Sequence, residues 1–335
     1  MISERVQLNI LRETLENHQV GICFVAVVLG VIAALTLSGT TALEAGINSA
    51  LAFMLFVAFL QVPLVELRLA FSRFRFLAVL LLTNFVVIPG LVGILVQFLP
   101  PDPLVRLGVL LVLLTPCIDY VVTFSHLGRA DARLLLAATP ALLIVQMLLL
   151  PVYLGLFLGP EAGSLVQVEP FVRAFVWLIV VPLAVAIFVQ LWANRRDCGA
   201  RALSVLGLLP VPATALVLFV VVAAVVPLLG LVFDDTFRVV PIYVAFAVVA
   251  PLVGWGVSRL FRLDAPAGRA VAFSAATRNS LVVLPLAFAV PGAVPLLPAI
   301  IVTQTLIELV SELIYVRLAP KFGSNKAPTA NWRAS

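Results

Sequence analysis

The stretch Leu113-Leu114-Thr115-Pro116-Cys117-Ile118-Asp119-Tyr120 decides how this chain is read. It lies inside a long apolar run, yet it holds a helix-breaking proline, a thiol and a carboxylate within four residues. Proline removes an amide donor and clashes with the preceding turn, so a helix cannot pass through Pro116 undisturbed. In a bilayer, irregular backbone is tolerated only where it is packed in protein or faces a wet cavity. A carboxylate at that depth marks a functional site by default. The stretch therefore predicts a small polar pocket built around a broken membrane helix.

Composition agrees with a membrane setting. The chain has 335 residues, 63% of them hydrophobic and 11% charged, with a mean hydropathy of +1.20. Soluble domains run about 45–50% apolar and about 25% charged. The apolar runs are continuous and too long for the alternating strands of a membrane barrel. They predict an all-α integral membrane fold of ten helices, near 19–38, 44–65, 76–99, 103–127, 132–158, 171–193, 202–232, 238–260, 267–291 and 295–317. One membrane domain is expected over 1–335, with a first five-helix half at 1–158, a second at 159–320 and a tail at 321–335. The N-terminal segment lacks the short apolar core and cleavage site of a removable signal peptide.

Charge placement orients these helices. Seventeen basic residues fall in the alternate loops and termini that share one side, and Arg106, Arg173 and Arg238 fall on the other. Positively charged loops stay in the cytoplasm, so both termini are expected there, with the protein multi-pass in the cell membrane. Five helices per half make the second half run inverted relative to the first. Inverted repeats with interrupted helices at matching positions characterise many secondary transporters. The fourth helix breaks at Pro116. The ninth carries the polar run Ser274-Ala275-Ala276-Thr277-Arg278-Asn279-Ser280 at the same ordinal place.

These two interruptions supply the candidate site. Thr115, Pro116 and Cys117 from the fourth helix and Thr277, Arg278, Asn279 and Ser280 from the ninth are expected to bind substrate. Asp119 and Glu308 are the candidate ion-coupling groups. Arg278 is the one basic residue not assigned to a loop, and Asp119 is expected to face it. Two readings of that pair stay open: a permanent ion pair pinning the crossing, or two groups that meet through substrate. Glu312, one turn after Glu308, is read as near the interface and wet. Asn84 is read as a lone polar group bonding a neighbouring helix. The three cysteines, Cys23, Cys117 and Cys198, have no pairing or zinc-ligand spacing, and no metal site or cofactor is expected. Basic residues are scattered rather than clustered, so nucleic acid is not an expected partner. The expected partners are a small inorganic or organic solute and the lipid bilayer. No nucleophile–base pair is evident, so the chain is not expected to be an enzyme.

The run Leu114-Thr115-Pro116-Cys117-Ile118-Asp119-Tyr120, with Phe124 and Gly128-Arg129-Ala130-Asp131, resembles the fourth-helix signature of the arsenite-efflux permeases, within the bile-acid/sodium symporter superfamily. Phe56-Val57-Ala58-Phe59-Leu60-Gln61-Val62-Pro63-Leu64 and Ala270–Ser280 are similar to the family's second and ninth helices. The resemblance implies a core holding both broken helices, a bracing panel, and alternating access. It implies export of arsenite, with antimonite as a second solute, and an essential role for Cys117. It also implies a ninth-helix glutamate after the asparagines; here Asn279 is followed by Ser280 and Leu281. Asp119 is the candidate replacement, and proton coupling the expected mode. The alternative reading is a symporter or exporter of a small organic anion held by Arg278.

Overall fold

The computed structural model describes residues 2–61, 73–118, 120–159, 169, 172–173, 176–230, 232–288, 290 and 292–323. Asp119 lies outside the described residues, as do Glu66 and Arg68. The described chain is helical: α1 (Ile2–Thr36), α2 (Glu44–Leu60), α3 (Phe74–Phe98), α4 (Pro103–Leu113), α5 (Val121–Leu127), α6 (Ala132–Leu158), α7 (Val181–Ala193), α8 (Asp197–Leu206), α9 (Pro210–Leu229), α10 (Phe233–Leu260), α11 (Ala265–Ala276), α12 (Ser280–Phe288) and α13 (Leu296–Leu318). Among the described residues, seven helical segments are long and apolar enough to cross a bilayer.

Local chemistry sets the helix ends. Asp102 caps α4 by accepting from the amides of Leu104 at 2.8 Å and Val105 at 3.3 Å, with Pro103 at the first helical position. Both devices satisfy or remove amides that a helix start leaves unpaired. The predicted seventh helix, 202–232, is divided. The chain turns after Leu206 and restarts at Pro210, so its first residues belong to the amphipathic α8. Proline favours a helix start over a helix interior, which accounts for the division. The first helix begins at Ile2 rather than near residue 19, carrying the charged segment as its first turns.

The helices pack in two groups. α1, α2, α7 and α9 form one, with α8 beside α7; α3–α6 and α10–α13 form the other. Gly254 on α10 lets α11 approach closely, since a Cβ there would stand 2.7 Å from Ala275 Cβ and 3.0 Å from Ala272 Cα. Apolar side chains on the outer faces are exposed, Leu148, Leu156 and Phe188 each by 70% or more. Such a belt is an anomaly in water and the expected surface in lipid. The polar groups are inside instead: Arg278, Glu312, Ser280 and Thr277 are fully buried. At one end of the second group, Arg75 donates to the Phe261 carbonyl, and Arg269 to those of Arg129 and Phe322. These links tie together segments that the charge pattern assigns to one side.

Both predicted interruptions are present. α4 stops at Leu113 and the chain resumes as α5 at Val121; α11 stops at Ala276 and resumes as α12 at Ser280. Each half is too short alone. Eleven residues of α4 rise about 17 Å, against a hydrocarbon core of about 30 Å.

Candidate functional site at the crossing of two broken helices

The two interruptions cross antiparallel. Pro116 and Arg278 form an isolated β-bridge, in which the Cys117 amide donates to the Thr277 carbonyl at 3.0 Å and the Asn279 amide to the Thr115 carbonyl at 2.8 Å. Each unwound strand thus supplies the partners that the other lost on leaving its helix. Thr115 and Thr277 finish the helices they end. Their hydroxyls lie 2.9 and 2.7 Å from the carbonyls of Leu111 and Phe273, each one turn back.

α13 closes the crossing with two glutamates one turn apart. Glu308 accepts three hydrogen bonds: from the Tyr120 hydroxyl at 2.5 Å, the Gln304 amide at 2.6 Å and the Arg278 backbone amide at 2.7 Å. A side chain surrounded by donors is matched to a carboxylate, which only accepts. Glu312 meets the Thr277 hydroxyl through Oε1, and its Oε2 has no hydrogen-bond partner among the described residues. Glu312 is therefore buried beneath the crossing, not wet at the interface as its position near the helix end suggested. α13 thus sets two carboxylates against the break between α11 and α12.

Arg278 points the other way. Its Nη2 donates to Asn84 Oδ1 at 3.0 Å and to the carbonyls of Ser274 at 2.5 Å and Ala275 at 2.7 Å. Nη1 reaches the Leu113 carbonyl at 3.3 Å, and the guanidinium carbon lies 5.4 Å from the centre of the Phe246 ring. Three of these four acceptors are last-turn carbonyls of α4 and α11, the negative ends of both helix dipoles. Among the described residues no carboxylate forms an ion pair with this guanidinium. Asn84 stands on a π-helical turn of α3, Thr83–Val87, and also donates to Ser274 Oγ at 3.0 Å. Such turns are rare and recur at functional sites.

The remaining predicted residues gather at the same place. Cys117 is buried in the bridge. Ser280 accepts from the Thr305 hydroxyl at 2.8 Å, and the Asn279 side-chain amide nitrogen has no partner among the described residues. Unpaired buried polar atoms are uncommon and call for a ligand, water or strain to explain them. Four atoms at this crossing have no partner among the described residues: Asn279 Nδ2, Gln304 Oε1, Glu312 Oε2 and Arg278 Nε. A void of about 10 Å³, room for roughly one water, touches Gln304, Glu308 and Tyr243. Tyr120, Asn84, Gln304 and Ser274 were not among the predicted site residues. Only their polarity within apolar runs signalled them.

A cavity of about 460 Å³ reaches the crossing from one end. It opens between the two helix groups, with Arg12, Glu16 and Arg133 near its mouth, and ends at Ile118 and Tyr120. Tyr120 thus has one face on the cavity and its hydroxyl on Glu308. A larger apolar groove of about 730 Å³ lies on the outer face of α10 and α13, where exposed Val248, Leu252 and Val310 mark it as lipid-facing. Among the described residues, no cluster of three His, Cys, Asp or Glu is arranged to hold a metal ion.

No curated protein matches this chain. The sequence profile of the sodium bile acid symporter family, a family of transporters rather than enzymes, matches residues 49–231, more than half of the chain. A bilayer-facing helical fold and a polar crossing sealed inside it fit that match, and the chain belongs to the sodium bile acid symporter family.

Proposed function

We propose that the protein is a secondary transporter of the cell membrane that exports arsenite, with antimonite as a second solute, in exchange for protons. Its ten spans are the seven long helical segments, the two broken pairs α4–α5 and α11–α12, and α7 with the helical turn before it. They run as two inverted halves, 1–158 and 159–320, with 321–335 as a tail and both termini in the cytoplasm. The cavity then opens inward, because its mouth carries Arg12 and Arg133 from segments assigned to that side.

The observation that carries the solute assignment is where the positive charge goes. Arg278 is the only Lys or Arg in the sequence between α4 and α5 or between α11 and α12, and its side chain is held on carbonyl oxygens and Asn84 rather than in the cavity. Among the described residues an anion would find no fixed counter-charge at the cavity floor. A small neutral hydroxylated solute needs none, and As(OH)₃ is neutral near pH 7. Cys117 follows Pro116 in the bridge and precedes the cavity-lining Ile118, so a soft thiol ligand is one residue along the chain from the cavity floor. Thr115, Thr277, Asn279 and Ser280 supply hydrogen-bonding groups around it. Glu308 is the coupling group reached through Tyr120, and Asp119 is the second candidate.

The test is Cys117→Ser in cells lacking their own extrusion system. Arsenite resistance should fall to that of cells without the protein while membrane abundance is unchanged. Unchanged resistance removes the thiol role. The alternative, transport of a small organic anion, draws on the family's bile-acid members and on the basic residues at the cavity mouth. Uptake of labelled organic acids into vesicles, lost with Arg12→Gln/Arg133→Gln but kept with Cys117→Ser, would favour it.

A further inference from the structure

We infer that the Arg278 guanidinium is a built-in cation occupying an oxygen cage with the chemistry of an alkali-metal site, so that the protein needs no free sodium ion at this crossing. The cage consists of the carbonyls of Leu113, Ser274 and Ala275 and the side-chain oxygen of Asn84. All four are neutral, hard oxygen donors. They come from three separate segments and converge on one buried charge. Carbonyls at unwound breaks and at the C-terminal ends of half-helices are the groups with which transporters hold sodium or protons near the bilayer midplane. Here two such carbonyls, with Asn84 Oδ1, lie 2.5–3.0 Å from a single atom, Nη2.

Among the described residues the side chain makes no ion pair. Glu308 contacts the backbone amide of Arg278, while the hydrogen bonds of the guanidinium go to neutral oxygens. Nε has no acceptor among the described residues. The fork is thus imperfectly satisfied as a fork, while one of its nitrogens is surrounded as a small cation would be. Two helix dipoles and the Phe246 ring face stabilise a positive charge there whatever its carrier.

The difference between a tethered and a diffusible cation is functional. A diffusible ion binds from one side and leaves on the other, and its gradient can drive transport. A guanidinium fixed to the chain does neither. Coupling at this crossing then rests on groups that exchange protons, of which Glu308 and Glu312 are in contact with the bridge. The inference concerns the cage alone and does not depend on which solute is carried.

The experiment uses the purified full-length protein in detergent, wild type and Arg278→Gln. Thermal unfolding is measured in equal concentrations of sodium chloride and choline chloride. Wild type should unfold at the same temperature in both salts. Arg278→Gln should be less stable in choline and rise by about 2–4 °C in sodium, saturably, because only the folded cage binds the ion. A sodium response of equal size in wild type overturns the inference. So does an Arg278→Gln variant that is equally unstable in both salts, since that result makes the guanidinium a pin rather than a seated charge. Should Arg278→Gln not purify, the same comparison is made on Arg278→Gln/Asn84→Asp, which gives the cage a carboxylate for a sodium ion to neutralise. Failure of both variants to fold in sodium also overturns the inference.

Discussion

Replacing Tyr120 with phenylalanine isolates one contact at the crossing. The Tyr120 hydroxyl donates to Glu308 Oε1 at 2.5 Å, and Tyr120 is buried, 3% exposed. The substitution keeps the ring and its edge-on packing with Phe124 and removes one of the three donors to Glu308. A hydrogen bond to a charged group is worth about 1.5–3 kcal/mol. Unfolding entropy near 2.1 cal/mol/K per residue gives roughly 0.7 kcal/mol/K for a chain of this size, so the midpoint should fall by about 2–4 °C. Tyr315 provides the control. Its hydroxyl donates to the neutral Ala247 carbonyl, and Tyr315→Phe should cost about 0.5–1.5 kcal/mol, half as much or less. Both variants are read by thermal unfolding in the same detergent. A double-mutant cycle with Glu308→Gln then measures the coupling, which should account for most of the Tyr120→Phe effect. If Tyr120→Phe costs no more than Tyr315→Phe, or the cycle shows no coupling, Glu308 is not the charged acceptor and its assignment as the coupling group falls with it.

Two further outcomes follow from packing and exposure. Gly254→Val forces α10 away from Ala272 and Ala275 on α11, and should destabilise the protein by about 1–3 kcal/mol, seen as a lower unfolding midpoint and reduced yield. Cys198 is exposed while Cys23 and Cys117 are buried, so a membrane-impermeant maleimide should label one thiol per chain in the folded protein. That label should react in inside-out vesicles and not in right-side-out ones; the reverse pattern would overturn the orientation drawn from the charged loops.

The two breaks were legible because they violate their surroundings. Pro116 cannot continue a helix, and Ser274–Ser280 places five polar residues in an apolar run. The crossing of those breaks followed from their matching ordinal places. What lay beyond the sequence was direction. A guanidinium reaches as readily toward a cavity as away from it, and nothing local to Arg278 says that the carbonyls of α4 would be its partners. Glu312 looked wet because depth was judged by distance from the helix end; its burial depends on Thr277 lying over it, a contact 35 residues away in the chain. Asn84 looked like an ordinary interhelical bond. Its place in the cage depends on a π-helical turn that no composition rule announces. The division of the seventh apolar run at Pro210 was within reach, since Gly207 and Pro210 together are a stop and a start.

The paired amides of Cys117 and Asn279 lash the two broken segments to each other in the membrane interior. Sliding one past its mate would strand both N–H groups where water is scarce, at several kcal/mol apiece. In the proposed transport cycle the crossing would therefore travel as one block. In the proposed transport cycle the slip plane would be the seam with α1, α2 and α9, which the Thr123 hydroxyl spans by donating to Gln19 Oε1 at 2.5 Å.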